Sequence, residues 1–289
     1  MTLRDIRRMR GLVLLFGPLV FVLAFLVVPY LIMFSYSFYL KTYPTFEPDF
    51  QFGNYLLIVT DPQYYRIFLR TFKIAAAVTV LALLTAYPMA YFLVFVVQSA
   101  RWRTILYFAL ILPLWMSYLM RGYIWKIILG NDGIINSFLL WVGVIDDPLQ
   151  MFLYNQTSMV VTFVYIFIPF MAMPIYAVLE KIPKNLVEAS GDLGYSPFWT
   201  FLRVTLPLSV PGIVAGCTMT FCLTFGDFIT PILVGGADGS MIANVIQSQF
   251  GVALNWPLGA ALSIVMLGIV LIVLNLSQRV GKDERIEIG

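Results

Sequence analysis

Long stretches without charge dominate this sequence and limit what it can fold into. Six runs of about 20 apolar residues occur along the chain, which is the length that an α-helix needs to cross a bilayer. Of the 289 residues, 61% are hydrophobic and only 11% are charged, whereas soluble domains carry about 25% charged residues. The mean hydropathy is +0.89. The sequence therefore predicts an all-α membrane protein.

We expect about six transmembrane helices. The predicted spans cover, in order, residues 12–36, 74–97, 104–125, 158–179, 208–233 and 257–277. Two further apolar segments are too short or too polar to span, and they lie at about 133–144 and 240–254. The first is expected to be a short helix at the membrane surface, and the second a surface helix or a re-entrant piece. The arginine-rich N-terminal stretch is interpreted as leading into a retained first span, not as a cleaved signal peptide.

Basic residues are distributed unevenly between alternate loops. If six spans are counted, 12 of the 18 lysines and arginines lie on the N-terminal side of the membrane. Cytoplasmic loops carry the excess of such residues, so we expect both the N-terminus and the C-terminus to be cytoplasmic. The whole chain, 1–289, is interpreted as a single transmembrane domain whose largest cytoplasmic loop covers about 181–207.

Residue types that carry covalent chemistry are scarce. The sequence has no histidine, and its two cysteines, Cys217 and Cys222, lie within one apolar run. This excludes histidine-dependent nucleophilic sites and disfavours a zinc site. No G-x-x-x-x-G-K-S/T motif occurs, so ATP binding by a P-loop is not expected. The net charge of +3 is too small to suggest a nucleic-acid partner. We expect no catalytic residue and no bound metal.

The loop between the fourth and fifth predicted spans has an unusual pattern. Residues 181–212 read KIPKNLVEASGDLGYSPFWTFLRVTLPLSVPG. Asn185 is placed as a helix N-cap, and Gly191 and Gly194 are expected to end that helix. A second amphipathic piece over 198–206 leads into the next span. The pattern predicts a helix, a sharp turn and a second helix, which together present one short helix to a cytoplasmic partner.

This loop resembles the EAA loop of type I ABC importer permeases. The family pattern is E-A-A, three residues, G, nine residues and I-x-L-P. Ser190 and Val204 depart from it, each by a residue of similar size. The matching positions in this sequence are Glu188, Ala189, Ser190, Gly194, Val204, Leu206 and Pro207.

The resemblance implies a type I ABC importer permease fold and a division of labour between subunits. Two permease subunits would form the pore, two ABC ATPase subunits would dock beneath it, and a periplasmic binding protein would deliver the solute. This chain would bind no cofactor, because the partner ATPase uses the ATP and Mg²⁺. The helix that contains Glu188 would be the coupling helix, with Glu188 paired to a basic group of the ATPase. The second permease would be a related but distinct chain, and all of them would work at the bacterial inner membrane.

A looser resemblance, to permeases of the spermidine/putrescine importer type, extends over nearly the whole chain. It rests on FGNY at 52–55, AYPMAY at 86–91, LPLWMSYLMRGYIW at 112–125 and GDFITPILVGG at 226–236. It implies a small cationic solute, spermidine or putrescine. Permeases for iron, opines, phosphonates or thiamine share much of these stretches and stay open as alternatives.

One acidic residue, Asp227, lies inside a predicted span. Acids at membrane depth are costly and suggest function, so Asp227 is interpreted as a cation contact in the translocation path. Phe225 and Phe228 would add cation–π contacts. Alternatively, Asp227 lies at the outer helix end and pairs with backbone or with a base. Arg121 is either that base or an interfacial anchor of the third span.

Two other functional classes fit the sequence less well. A secondary transporter would need coupling-ion acids in several spans and usually a visible repeat, and only Asp227 qualifies. A membrane-embedded enzyme would need histidine or clustered acids within the spans, and neither occurs.

Overall fold

Helices make up most of the chain in the computed structural model, which describes residues 16–42 and 45–286. The start of the first predicted span and the arginines ahead of it lie outside the described residues. In chain order the main elements are α1 (Phe16–Tyr36), β1 (Leu40–Thr42), β2 (Thr45–Glu47), α2 (Gly53–Thr60), α3 (Pro62–Val96), α4 (Ala100–Trp115), α5 (Tyr118–Leu129), α6 (Ile134–Val142), α7 (Gln156–Leu179), α8 (Lys184–Asp192), α9 (Pro197–Phe225), α10 (Ile242–Phe250) and α11 (Trp256–Ile286).

The described helices agree with six spans when one bent helix pair counts as a single span. Helices α1, α3, α7 and α9 and the first 24 residues of α11 are each long and apolar enough to cross a membrane. The remaining span, third in chain order, consists of α4 followed by α5 and α6, with a bend of 95°.

The third predicted span, 104–125, contains a sharp bend that its hydropathy does not indicate. Pro113 lies in the 3₁₀ turn Leu112–Trp115 that ends α4. Met116 and Ser117 then adopt extended backbone, with ψ angles of 147° and 137°, before α5 begins. Proline cannot donate the backbone hydrogen bond that would continue the helix, and the chain changes direction there.

The fifth predicted span, 208–233, is misplaced at both ends. Helix α9 runs from Pro197 to Phe225, and a π-helical turn at Phe201–Thr205 lets it continue through Pro207. At the other end Gly226 is its C-cap. A separate π-helical turn follows at Pro231–Gly235. Both segments predicted as short helices are helical: the first is α6, which follows α5 within the bent pair, and the second is α10.

One compact unit consists of the described residues up to 62 together with Ile246–Gly268. It contains an antiparallel hairpin, β1 with β2, that the all-α expectation did not include. Trp256 packs on the hairpin, because its ring stacks on Phe46 with the centroids 6.0 Å apart. In the FGNY stretch, Asn54 donates hydrogen bonds to two carbonyl oxygens that follow α1.

The second compact unit consists of Gln63–Val245 and the remainder of α11. Its core forms around α7, whose apolar side chains are buried along most of its length. Gly212 and Gly216 of α9 allow close contact with α7. A β-carbon at Gly212 would lie 2.8 Å from the Pro174 carbonyl oxygen, and one at Gly216 would lie 2.8 Å from that of Met171. This is the small-residue packing typical of membrane helices.

Candidate functional site

The loop that resembles the EAA loop folds into two helical arms joined by a sharp turn. Helix α8 has Pro183 as its N-cap and begins at Lys184, so the prediction that Asn185 is the N-cap is wrong. Gly191 lies within α8 and does not end it. Gly194 makes the turn with a φ of 85°, in the left-handed region that favours glycine.

A buried hydrogen bond joins the two arms. Ser190 is 6% exposed, and its hydroxyl lies 2.9 Å from that of Thr200 in α9. The backbone N–H of Tyr195 also donates to the Ser190 carbonyl oxygen. The departure from the family pattern at Ser190 therefore supplies a hydrogen-bonding group, not only a small side chain.

Helix α8 also carries exposed side chains. Glu188 and Ala189 are exposed, next to the buried Ser190. Leu193, at the end of the helix, is 79% exposed. A carboxylate on a short helix that is itself held to the next helix is suited to contact a basic group on a partner protein.

Arg203 reinforces the turn and was not singled out from the sequence. Its guanidinium carbon lies 5.3 Å from the ring centroid of Tyr195 and 5.0 Å from that of Trp199. Its Nη1 donates a hydrogen bond of 2.9 Å to the Tyr195 hydroxyl. The spacing of four between these three residues was the signal that could have identified the cluster.

The end of the motif connects the loop to the core. Leu206 packs against the buried cluster of α3 and α7. Three residues later, the Ser209 hydroxyl lies 2.9 Å from that of Tyr87 in the AYPMAY stretch, and Ser209 is fully buried. Val204 is half-buried and Pro207 is exposed. The loop that carries α8 is therefore continuous with well-packed helices.

Asp227 lies in the break after α9, two residues beyond the membrane-spanning helix, so its placement inside a span is corrected. Its Oδ1 accepts a hydrogen bond of 2.9 Å from the backbone N–H of Thr230. The backbone of Ile229 and the hydroxyl of Thr230 also favour the charged form of this carboxylate. Burial nevertheless raises the pKa of Asp227 to about 6, because its effect outweighs that of these polar groups.

The two aromatic residues beside Asp227 have different environments. Phe225 is 1% exposed and stacks on Phe221 with the centroids 5.6 Å apart. Phe228 is 41% exposed, and its carbonyl oxygen accepts a hydrogen bond from Asn244. The Phe228 ring is exposed on this chain, whereas Phe225 belongs to the core.

Arg121 is buried, which contradicts its interpretation as an interfacial anchor. It is 5% exposed, and its Nη1 lies 3.3 Å from the Ile166 carbonyl oxygen of α7. Its guanidinium carbon lies 5.4 Å from the ring centroid of Tyr118. The other interpretation, a direct bond to Asp227, is not found either: Arg121 contacts Ile166 and Tyr118, and the Asp227 carboxylate accepts its hydrogen bond from the Thr230 backbone.

Metal-binding groups are sparse in the part of the chain that the structure describes. No group of three or more histidine, cysteine, aspartate or glutamate side chains is placed to hold a metal ion there. Cys217 and Cys222 are both free thiols.

Solved structures share this fold. A bacterial ABC transporter involved in the import of the acidic polysaccharide alginate matches with a TM-score of 0.69 and 21% identity, covering 96% of this chain and 98% of that one. The same type of transporter in complex with an alginate pentasaccharide-bound periplasmic protein gives a TM-score of 0.74 at 21% identity, with the same coverage. The inward-facing MetNI methionine ABC transporter gives 0.57 at 16% identity, covering 78% of this chain and 99% of that one.

Sequence comparisons are more specific. The spermidine/putrescine transport system permease protein PotB of Escherichia coli K12 is 38% identical over 253 residues, which cover 86% of this chain and 90% of PotB. PotB of Haemophilus influenzae is 33% identical, with 87% and 86% covered. The E. coli inner membrane ABC transporter permease protein YdcU is 37% identical, with 81% and 77% covered. The family model for binding-protein-dependent transport system inner membrane components matches residues 14–283. This chain belongs to that family and is a multi-pass inner-membrane permease of the type I ABC importer class.

Proposed function

We propose that this permease forms half of the translocation pore of an ATP-driven importer for spermidine and putrescine. The solute class is supported by the names of relatives that align over most of their length. It is also supported by the half-buried carboxylate of Asp227, beside the exposed ring of Phe228, which together suit an ammonium group. A PotC homologue from Mycoplasma pneumoniae is 29% identical over 107 residues. This supports a related but distinct chain as the second half of the pore.

The main observation behind the proposal is that α8 exposes an acidic side chain and is held firmly to α9. Glu188 is exposed on a short helix that is tied to α9 by the buried hydrogen bond between Ser190 and Thr200. Such a helix can transmit a rigid-body push from a partner to the spans. We infer that two ABC ATPase subunits dock here and bind the ATP and Mg²⁺. A periplasmic binding protein delivers the solute from the other side, and this chain performs no hydrolysis itself.

The test uses the complete importer, with this chain expressed together with its neighbouring subunits. Glu188→Arg places a positive charge against the basic group expected on the ATPase. We expect ATP-dependent uptake of labelled spermidine and co-purification of the ATPase both to fall at least tenfold. Asp147→Arg makes the same charge change at an exposed position in another loop, and it should leave both measurements unchanged.

Other outcomes are equally informative. Intact uptake in the Glu188→Arg importer would contradict the coupling role. ATPase activity that responds to a different solute, without polyamine uptake, would overturn the solute class alone. Uptake that survives ATP depletion and follows an ion gradient would contradict an ATP-driven importer.

A further inference from the structure

Arg121 is a buried cation whose bonding is incomplete. Its side chain is 5% exposed, one nitrogen donates to the Ile166 carbonyl oxygen, and its Nε has no hydrogen-bond partner. Ionised side chains at membrane depth are costly and are retained for a function. The group next to this guanidinium is the ring of Tyr118, at 5.4 Å.

Tyr118 connects Arg121 to the loop that holds Asp227. The Tyr118 hydroxyl lies 3.0 Å from the hydroxyl of Thr230, which is fully buried. Thr230 in turn binds the Asp227 carboxylate by a hydrogen bond of 2.9 Å from its backbone N–H, and its hydroxyl favours the charged form of the same carboxylate. The guanidinium, the phenol, the threonine hydroxyl and the carboxylate therefore form one continuous polar chain within the second unit.

The direction of these hydrogen bonds follows from their chemistry. An ionised carboxylate only accepts hydrogen bonds, so the Thr230 hydroxyl favours its charged form by directing its proton toward Asp227. That hydroxyl then has lone pairs but no proton left for Tyr118, so Tyr118 is the donor between them. Arg121 over the ring withdraws electron density from the phenol, which strengthens its O–H as a donor.

Close packing brings this chain of groups together. Gly122 follows Arg121 in α5, and a β-carbon there would lie 2.7 Å from Cδ1 of Leu233. The absence of a side chain at Gly122 therefore lets α5 approach the Pro231–Gly235 turn, next to Thr230. The polar contacts are part of a packed interface between α5 and this segment.

We propose that Tyr118 is a positioning residue that, backed by Arg121, orients the Thr230 hydroxyl and thereby holds the Asp227 carboxylate in one orientation toward the ammonium group of the solute. A direct ion pair with Arg121 would neutralise Asp227 and compete with a cationic solute. A relay through two neutral hydroxyls fixes the carboxylate and leaves its charge available. This inference rests on the proposed role of Asp227 as a cation contact.

The test measures spermidine imported per ATP hydrolysed by the full importer in proteoliposomes. Tyr118→Phe removes one hydroxyl and keeps the ring under Arg121. We expect it to lower this ratio about fivefold, the effect of one neutral hydrogen bond. ATPase stimulation by the loaded binding protein should persist. Tyr123→Phe, at a position 42% exposed on the same helix, should leave the ratio unchanged.

A second pair of variants distinguishes loss of the Thr230 hydroxyl from general misfolding. Thr230→Ser retains the hydroxyl and should leave the ratio of spermidine imported to ATP hydrolysed unchanged. Thr230→Val has nearly the same shape without the hydroxyl and should lower this ratio. Equal ratios for these two variants would overturn the relay. A general loss of packing would lower the thermal unfolding temperature of both variants. The relay instead predicts that their transport ratios differ while their unfolding temperatures are similar.

A double-mutant cycle separates the relay from the role of Asp227. If Tyr118 acts through the carboxylate, adding Tyr118→Phe to Asp227→Asn causes no further loss. If the fold decreases of the two single variants multiply in the double variant, the relay is overturned. If Asp227→Asn lowers the ratio but Tyr118→Phe does not, the relay is overturned and the role of Asp227 as a cation contact is supported. If Asp227→Asn has no effect, both are overturned.

Discussion

Single side chains determine how firmly the loop 181–207 is held to the spans. Ser190 stands where the family pattern has alanine, and its hydroxyl is paired with that of Thr200 in a buried position. Leaving a buried polar group without its partner costs more than removing both partners together. The Ser190–Thr200 pair therefore behaves as a unit, which a residue-by-residue reading of the motif does not reveal.

Ser190→Ala is expected to destabilise the loop even though it restores the family residue. The loss of the hydrogen bond costs about 1 kcal/mol, and the better helix propensity of alanine returns about 0.5 kcal/mol. Thermal unfolding of the purified importer should therefore show a small decrease in stability. The double variant Ser190→Ala with Thr200→Val should be more stable than Ser190→Ala alone, and the opposite order would contradict the pairing.

The proposed cation contact at Asp227 predicts that transport depends on pH in a defined direction. Its pKa is raised to about 6, so the carboxylate is charged above that pH and becomes neutral below it. A cationic solute is attracted only by the charged form. At pH 5 about a tenth of the carboxyls would be ionised.

We expect spermidine uptake to fall as pH decreases from 7 to 5, by up to about tenfold. The measurement is the uptake ratio of the native importer to the Asp227→Asn importer at each pH, which removes the pH dependence of the other subunits. A ratio that does not change with pH would argue against the charged carboxylate as a cation contact.

At the scale of elements, glycine contacts determine how closely α7 and α9 pack. Gly216 faces the Met171 carbonyl oxygen, which is a backbone atom and cannot move aside as a flexible side-chain end can. By contrast, Gly268 in α11 has open space around the position of a β-carbon.

Gly216→Ala should destabilise the permease by about 1–3 kcal/mol, the usual cost of overpacking. Gly268→Ala is the matched control, since it adds the same methyl group within a helix and should be neutral or slightly stabilising. Thermal unfolding in detergent compares the two. Equal unfolding temperatures would show that α7 and α9 are not in the close contact described above.

Element boundaries were harder to predict than the elements themselves. The 95° bend between α4 and α5 falls within an apolar stretch that hydropathy alone reads as continuous. The position of Pro113 was a visible cue, but Pro169 and Pro174 lie inside α7 without ending it. Whether a proline bends, breaks or is accommodated depends on which neighbouring groups satisfy the freed carbonyl, and that is tertiary information.

At the scale of the whole molecule, the charge asymmetry makes a prediction about topology. With both termini cytoplasmic, a fluorescent protein fused after the last residue should be fluorescent, and alkaline phosphatase fused there should be inactive. Phosphatase inserted beside Asp147 should instead be active, because that loop is predicted to lie outside. The reverse pattern of activities would overturn the predicted orientation.

The sequence by itself determined that this is an all-α membrane protein, where its spans approximately lie, and that two helices joined by a sharp turn form the loop 181–207. It could do so because uncharged length, charge bias and a fixed motif spacing are local properties. Gly194 illustrates this, since a sharp turn was predicted after the first helix of the loop, and Gly194 makes that turn with a φ of 85°.

Only the tertiary structure decided what Arg121, Asp227 and Phe225 contact. The cost of burying a charge or a ring depends on which groups from distant parts of the chain surround it, and no local pattern specifies them. Arg121 meets Ile166 and Tyr118, and Asp227 reaches Tyr118 through Thr230. The three-dimensional packing of α5, α7 and the segment after α9 creates this polar chain, because it joins residues separated by more than 100 positions in sequence.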